Sequence, residues 1–425
     1  MKLKSNLIKI SLSSLILLSA CGIRNANQTT GKSFDTKTSF PPLVNSDAKI
    51  TSDSKIVAAN NKFGINLFAE LLKTDKDKNI FISPTSVLFA LSMTYNGANG
   101  KTKDDIAKAL ELTGMTSDEI NKSNNALIRT LVNSDPNVRL DIANSLWGKK
   151  GANFNPDFIK INEDYYKATT SSLDFSTDEA TKTINQWVSD ATQQKIPKIV
   201  DKIDANTLLI LINAIYFKGA WTNKFDSSLT KADKFNLTSS TTKQAQMMSM
   251  YDKLSYYKDD KFQAINLPYG NENTSMYVFL PSEDSSLDEF NKSLTTDNMQ
   301  TWFTSFRKSQ GQILLPKFKL EYEASLNNSL TTLGMGNAFS DNADFKNMFK
   351  DNTKAAVTDV KHKTFVEVNE EGTEAAAVTG VTVGATSVQI PTEPFKMNVN
   401  RPFFYIIRDN QSGTVLFMGE VVNPS

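Results

Sequence analysis

The stretch that decides the fold is 363–377, which reads Lys-Thr-Phe-Val-Glu-Val-Asn-Glu-Glu-Gly-Thr-Glu-Ala-Ala-Ala. Its first seven residues are typical of a β-strand. A glycine and small residues follow, and the uncharged run continues to about Gln389. A permanent strand of a packed sheet would carry bulkier side chains, and a plain solvent loop would be richer in Pro, Asp, Asn and Lys. The segment is therefore predicted to exist as a loop or as a strand, and such a loop can store energy and release it.

Composition limits the class of protein. The chain has 425 residues, 40% of them hydrophobic and 22% charged, with a formal net charge of +1. That is enough apolar sequence for a sizeable core, and it offers no basic field for nucleic acid. With one His and one Cys, the chain is expected to hold no zinc, haem or iron–sulfur site. We therefore expect no metal and no cofactor.

Residues 1–20 have the pattern of a bacterial lipoprotein signal peptide. Lysines precede a short apolar run, Ile10–Leu18, which is too short for an ordinary membrane-spanning helix. The run ends at Ala20-Cys21, and this resemblance implies that Cys21 is lipidated. We expect secretion across the inner membrane and anchoring at the bacterial cell envelope or surface, or release outside the cell. The alternative is an ordinary secretory signal followed by a leftover Cys.

The rest of the chain divides into two parts. Residues 21–54 are polar and lack periodicity, which predicts a flexible, lipid-anchored tether. Residues 55–425 are predicted to form a single folded domain. Helical patterns dominate its first third and strand patterns the rest, which indicates an α+β fold with large sheets. Ser83-Pro84 is predicted to begin one helix and Thr102 to cap another, while the apolar run Leu208–Phe217 predicts a buried central strand.

Catalytic patterns are absent from the sequence. There is no Gly-x-Ser-x-Gly, His-Glu-x-x-His or phosphate-binding glycine loop. His362 begins a strand pattern, and a His hydrogen-bonded beside a sheet is favoured over a general base. Asn213 is interpreted as a satisfied buried amide. Glu370 and Glu371 are adjacent, so their side chains point to opposite faces of a strand and do not suggest an acid/base pair. We expect no catalytic residue and no enzyme.

Five segments stand out along the predicted domain: Asn79–Ser86, Asn213–Trp221, Phe365–Ala377, Val399–Phe404 and Leu416–Pro424. In this order they resemble the serpin family. They span essentially the whole predicted domain, and five motifs at compatible spacing are far more specific than any single one.

The resemblance implies a fold with three β-sheets, eight to nine helices and an exposed reactive-centre loop. It also implies a suicide-substrate mechanism, in which a target serine protease cleaves the loop and forms an acyl-enzyme. Before hydrolysis the loop inserts into the main sheet, and the protease is distorted in a covalent 1:1 complex. The partners expected are that protease and, through the lipid on Cys21, a membrane. A monomer is expected, without nucleic acid and without a heparin-like activator.

The resemblance also assigns roles to residues. The hinge of the loop maps to Glu370, Glu371, Gly372, Thr373, Ala375, Ala376 and Ala377. The polar group where the central strands part, with the upper opening of the sheet, maps to Ser83, Ser86, Asn213, Trp221 and His362. From the alternation of a strand we expect Thr373, Ala375, Ala377 and Thr379 to face the core on insertion.

The reactive bond is expected within Ala385, Thr386, Ser387 and Val388. No Lys or Arg lies between Glu371 and Phe395, which disfavours a trypsin-like target. Small residues suit an elastase-like or subtilisin-like serine protease, and inhibition of cysteine proteases stays open. The alternatives are a non-inhibitory binding protein with the serpin fold and, from another class, a solute-binding or adhesive lipoprotein.

Overall fold

Helices occupy much of the first half of the chain. In the computed structural model, residues 50–204, 206–351, 353–374 and 393–424 are described. Within these ranges the chain forms nine α-helices: α1 (Lys55–Thr74), α2 (Pro84–Gly97), α3 (Gly100–Ala109), α4 (Ser117–Val132), α5 (Pro156–Tyr166), α6 (Asp178–Ala191), α7 (Leu287–Lys292), α8 (Thr296–Ser305) and α9 (Asn327–Leu330).

Strands fill most of the second half. The same ranges contain β1 (Ile80–Ile82), β2 (Val138–Lys149), β3 (Thr169–Leu173), β4 (Leu209–Ala220), β5 (Lys231–Asn236), β6 (Thr242–Lys258), β7 (Phe262–Tyr269), β8 (Thr274–Pro281), β9 (Arg307–Pro316), β10 (Phe318–Ser325), β11 (Lys361–Asn369), β12 (Gly372–Thr373), β13 (Phe395–Asn398), β14 (Phe403–Asp409) and β15 (Val415–Val421).

The strands form three sheets, two of which share one long strand. The main sheet has six strands in the order β10-β11-β12-β4-β2-β3. In the second assembly, the middle of β6 pairs with β9, and β13 follows β9. The far end of β6 pairs with β7, and the order continues through β8, β14 and β15 to β1. The predicted α+β class, the three sheets and the count of eight to nine helices are confirmed.

Helix α2 connects the main sheet to the core. Ser83 is its N-cap, accepting a hydrogen bond from the Ser86 N–H, and Pro84 occupies the first helical position. Nearly every residue of α2 is buried, because the helix packs between β4 and β15. The Ser-Pro pattern therefore predicted the start of this helix correctly.

The cap predicted at Thr102 was wrong. The cap position is occupied by Asn99, three residues earlier, and helix α3 begins at Gly100. Thr102 lies inside the helix, fully buried, and its hydroxyl oxygen accepts hydrogen bonds from the Asp344 N–H (2.8 Å) and from Asn337 Nδ2 (2.7 Å). Its role is to tie a distant loop to α3, which the local pattern could not reveal.

All the described residues belong to one compact unit. None of its described helices combines the length and the apolar character that crossing a membrane requires.

Candidate functional site

The main sheet has a seam, the boundary between β4 and β11. Of the described strands, just the two-residue β12 lies in it: Thr373 pairs with Val368 of β11 and with Gly219 of β4. We call this end of the seam the upper end and the end near Lys361 and Leu209 the lower end. Below β12, no described strand lies between the two. Strand edges that face each other unpaired are a template for another strand.

Gly372 is required at the point where the chain enters the seam. Its φ is +148°, a conformation that other residues rarely adopt, and a Cβ atom there would lie 2.1 Å from the Gly219 carbonyl oxygen of β4. Any side chain would therefore displace the backbone of the neighbouring strand. The close approach of the two strands explains why a glycine follows the acidic pair.

Thr373 is buried in the upper end of the seam. Its side chain is 2% exposed, and its hydroxyl lies 2.7 Å from the hydroxyl of Tyr269. The Tyr269 ring stacks on Trp221 at a centroid distance of 4.4 Å, and Trp221 Nε1 donates to the Asn369 carbonyl oxygen (2.9 Å). Trp221 and Tyr269 thus hold Thr373 against the core.

The acidic pair forms the turn that leads into β12. Glu370 forms an ion pair with Lys317 (2.9 Å) and accepts a hydrogen bond from the Thr230 hydroxyl (2.8 Å). Burial opposes its ionisation, but Lys317 and Thr230 outweigh burial and hold the pKa of Glu370 below its usual value. Glu371 forms an ion pair with Lys224 (2.6 Å). The two carboxylates therefore fix the turn, and they do not face each other.

Glu374 directly follows β12, and the predicted hinge did not include it. Its φ is +54°, which turns the backbone out of the extended conformation, and its side chain is 3% exposed. Burial raises the pKa of Glu374, although the Tyr216 hydroxyl and Lys195, at 3.5 Å, favour the charged form. The sequence did carry a signal for Glu374, because strand alternation places the residue after Thr373 on the opposite side of the sheet.

A polar cluster lies at the lower end of the seam. His362 is 5% exposed, and its Nε2 accepts a hydrogen bond from the Ser83 N–H (3.0 Å). The Ser83 hydroxyl donates to the Leu416 carbonyl oxygen (2.7 Å). Burial lowers the pKa of His362 to about 4, so the ring is neutral at pH 7. Because Nε2 already accepts a hydrogen bond from a backbone N–H, the geometry does not suit a general base.

Asn213 of β4 also faces this region, but it does not hydrogen-bond His362. Its Nδ2 donates to Asn144 Oδ1 (2.6 Å), whereas its own Oδ1 is buried and has no hydrogen-bond partner among the described residues. The interpretation of Asn213 as a satisfied amide was therefore wrong for its acceptor. A buried acceptor left unpaired costs about 1–3 kcal/mol, so Asn213 is poised for another donor.

A cavity of about 470 Å³ lies at the lower end of the seam. Residues of α2, β4, β11 and the segment before β11 line it, and Ser86, Asn213 and His362 are among them. The cavity joins the predicted polar group into one site, with Trp221 at the other end of the same seam.

Other predicted site residues lie outside the described residues. These are Cys21, Ala375, Ala376, Ala377, Ala385, Thr386, Ser387 and Val388. Among the residues that are described, no group of three or more His, Cys, Asp or Glu side chains could hold a metal ion.

Comparison with known proteins gives a consistent result. The family described as Serpin (serine protease inhibitor) matches residues 58–424. Leukocyte elastase inhibitor of Bos taurus is 36% identical over 384 residues, which cover 87% of this chain and 100% of that protein. Serpin B8 of Homo sapiens is 36% identical over 375 residues, covering 86% of this chain and 98% of that protein.

Solved structures agree with the sequence relatives. The native state of the thermophilic serpin Tengpin superposes with a TM-score of 0.80 at 32% identity, covering 90% of this chain and 97% of that chain. Thyroxine-binding globulin in complex with thyroxine gives 0.79 at 28% identity, covering 88% of this chain and 100% of that chain. Relatives named as protease inhibitors support protease inhibition as the general function, with a target protease as partner and not a catalytic role. The chain belongs to the serpin family.

Proposed function

We propose that this protein is a suicide-substrate inhibitor of serine endopeptidases. A target protease attacks a bond in the loop after Glu374, an acyl-enzyme forms, and the cleaved segment enters the seam before hydrolysis. The single observation that carries the proposal is the seam itself. Its upper end already holds two residues paired on both sides, and below them β4 and β11 remain separated by a cavity.

Continuing the observed register predicts where each inserted residue would go. Val368 pairs with Thr373, and Thr373 pairs with Gly219. Six residues further on, the same register sets Thr379 opposite His362 on one side and Asn213 on the other. Thr379 shares the face of Thr373, so its hydroxyl would meet the unpaired Oδ1 of Asn213. Insertion would therefore satisfy the acceptor that the present state leaves buried.

The same alternation accounts for the cavity. Beyond Thr379 it points Val381 and Val383 towards the core, and the cavity walls there include Val87, Leu91 and Leu211. Apolar side chains entering an apolar cavity gain roughly 25 cal/mol per Å² of surface removed from water. No charged residue occurs between Glu374 and Glu393, so the inserting segment itself carries no charge that would have to be desolvated.

The energy available is large enough to act on a bound protease. Roughly a dozen new strand hydrogen bonds, at about 0.5–1.5 kcal/mol each, supply on the order of 10 kcal/mol. A typical domain is stable by about 5–15 kcal/mol, so the gain is comparable to the stability of the protease. The uncleaved inhibitor is therefore metastable and persists behind a kinetic barrier.

The loop sequence favours an elastase-like or subtilisin-like target. The window Ala385–Val388 offers only small uncharged residues for the specificity pocket. The relative from Bos taurus is named leukocyte elastase inhibitor, which supports this class. Cysteine proteases that accept the same residues are a further target class within the proposal, because insertion can equally interrupt a thioester intermediate.

A second candidate is a binding protein that keeps the fold without inhibiting. Thyroxine-binding globulin, a similar structure, is named for a ligand and not for a protease. The small residues of the hinge argue for inhibition here, since Thr373 already fits the seam.

The test is to mix residues 55–425 with neutrophil elastase, pancreatic elastase and subtilisin in turn. An inhibitor gives a covalent 1:1 complex that survives SDS and releases the short fragment C-terminal to the cut. Clean cleavage by the whole panel without any complex would sink the proposal. The mass of the released fragment identifies the reactive bond within the window.

We also propose that the protein is secreted and held at the cell envelope by a lipid on Cys21. The support is the signal pattern of residues 1–20 and the polar segment 21–54. In a bacterial host, Cys21→Ala should move the protein from the membrane fraction to the soluble fraction. If Cys21→Ala stays in the membrane fraction, the proposed lipid anchor on Cys21 is wrong.

A further inference from the structure

A second cavity, of about 310 Å³, lies away from the seam in the second sheet assembly. The turn between β6 and β7, the end of β8, strand β13 and the connection from β13 to β14 line it. It shares no lining residue with the cavity of the seam. Its charged lining residues are Lys258, Lys396, Arg401, Asp259 and Glu283. The balance between these three bases and two acids decides what the cavity can hold.

Arg401 is a largely buried cation whose partners are mostly neutral. Its side chain is 18% exposed. Nε and Nη2 donate to the Pro281 carbonyl oxygen (3.1 and 2.6 Å), and Nη1 donates to Asn400 Oδ1 (3.2 Å). Its one carboxylate contact within the described residues is to Glu283, at 3.9 Å, and Glu283 is 87% exposed. Burial lowers the pKa of Arg401, so Glu283 does not fully offset the loss of water around the guanidinium.

Two lysines line the same cavity. Lys258 ends β6, Lys396 lies on β13, and both are exposed. No described residue forms an ion pair or a side-chain hydrogen bond with either ammonium group. A lone exposed lysine needs no partner but water, whereas these two share one cavity with a buried Arg. Three cations from three segments of the chain therefore border one space.

The acidic residues of the cavity do not neutralise these cations. Asp259 Oδ1 accepts hydrogen bonds from the N–H groups of Lys261 (2.8 Å) and Phe262 (3.0 Å). Its Oδ2 accepts one from the Tyr257 hydroxyl (3.1 Å), so this carboxylate is committed to the β6–β7 turn. Glu283 is largely in water, where a contact at 3.9 Å contributes little. The cavity is left with an excess of positive charge and of hydrogen-bond donors.

We propose that this cavity binds a small tetrahedral oxyanion, phosphate or sulfate, either free or as the monoester group of a small molecule. Three of the five Arg401 N–H groups are used in the bonds above, which leaves two for the anion. The guanidinium fork and the two ammonium groups supply the charge-assisted hydrogen bonds that such oxygens accept. The proposal is independent of protease inhibition, because the cavity lies outside the seam.

The experiment measures anion binding by isothermal titration calorimetry, with the ionic strength held constant by NaCl. The protein is titrated with sodium phosphate and with sodium sulfate. We expect one saturable site, and Lys258→Gln and Lys396→Gln should each weaken binding about tenfold. Lys234→Gln is the matched control, because Lys234 is an exposed lysine on β5 outside the cavity, and its binding should be unchanged. No saturable binding of either anion, or equal affinities of the three variants, would overturn the proposal.

A variant of opposite sign makes the test stricter. Glu283→Gln removes the carboxylate that lies 3.9 Å from Arg401, and it should tighten phosphate binding about threefold. Glu321→Gln on β10 removes an exposed carboxylate outside the cavity and should leave the affinity as it is. Equal affinities of these two variants would contradict the placement of the anion beside Arg401.

Two further ligands define the chemistry of the anion. Methyl phosphate that binds as tightly as inorganic phosphate would assign the site to a monoester group, and methyl phosphate that binds much more weakly would assign it to the free ion. Both results support an oxyanion site. Malonate is the test of shape, since it carries two planar carboxylates. Tighter binding of malonate than of phosphate and sulfate would overturn the proposal of a tetrahedral anion.

Discussion

The two ends of the seam differ in how tightly their side chains pack and in whether their polar atoms have hydrogen-bond partners. At the upper end, Thr373 is buried against Tyr269, and Trp221 holds the neighbouring turn. At the lower end, Asn213 and His362 line a cavity of about 470 Å³, and no described residue donates a hydrogen bond to Asn213 Oδ1. A single sheet can thus be closed at its upper end, where β12 pairs on both sides, and unfinished at its lower end, where a cavity remains. We call these the closed end and the unfinished end. Under the proposed function, the unfinished end is where the stored free energy resides.

A charge at the closed end should have the largest effect. Thr373→Arg would have to carry an unpaired guanidinium into the core, which costs several kcal/mol and should slow insertion by about 100-fold or more. The variant should be cleaved as a substrate, and its SDS-stable complex should disappear. Thr373→Ser, which keeps the hydroxyl facing Tyr269, is the matched control. Full inhibition by the Arg variant would show that burial of residue 373 is not required for insertion.

Loss of Trp221 should open the closed end. Trp221→Ala removes the stack on Tyr269 and the bond to Asn369, and a buried Trp truncation costs about 3–5 kcal/mol. Trp302→Ala is the control, because Trp302 is also buried but packs on Phe262, away from the seam. Both variants should melt several degrees lower, and only Trp221→Ala should raise the ratio of inhibitor to protease needed for full inhibition. Equal inhibitor-to-protease ratios for the two variants would show that Trp221 has no specific role in insertion.

Protonation of His362, at the unfinished end, should lower the free energy of unfolding. Burial lowers its pKa to about 4, below the value near 6.5 of an unfolded His, so the unfolded chain binds the proton more readily. Stability from the neutral ring is complete above pH 6.5 and falls as the pH drops towards 4, by about 2 kcal/mol at pH 5. The measurement is the free energy of unfolding in urea at pH 7 and pH 5.

The control is Glu420, a second buried group whose pKa shifts in the opposite direction from that of His362. Burial raises the pKa of Glu420 to about 7, and its contribution is present at low pH and lost as the pH rises through 7. His362→Gln should abolish the loss of stability on acidification, and Glu420→Gln should make that loss larger. An unchanged slope in His362→Gln would mean that the imidazole is not buried as the structure has it.

The smallest effect should come from a hydroxyl at the unfinished end. Thr379→Val should leave the uncleaved protein unchanged and destabilise the cleaved form by about 1–3 kcal/mol, because the acceptor of Asn213 would stay unpaired. The companion variant Thr382→Val, on the opposite face of the predicted strand, should leave both forms unchanged. An equal effect of the two variants would shift the proposed register.

Local patterns predicted much of this architecture. The Ser83-Pro84 helix start and the buried strand near Asn213 follow from residues adjacent in the chain, and the family resemblance supplied the three sheets. The ion pairs of Glu370 with Lys317 and of Glu371 with Lys224 join residues far apart in sequence, so no local signal marks them. The burial of Thr373 is likewise a tertiary outcome, since its neighbours suit both a loop and a strand. The Asn213 oxygen is left unpaired because no described strand lies beside it in the seam, and a local sequence pattern cannot show that.

The central claim is that the unfinished end of the seam stores folding free energy, and cleavage of the loop tests it most directly. The melting temperature of residues 55–425 is measured before and after limited proteolysis within 385–388. A gain on the order of 10 kcal/mol in a domain of this size should raise it by roughly 10–15 °C. A melting temperature that cleavage leaves unchanged would contradict the account.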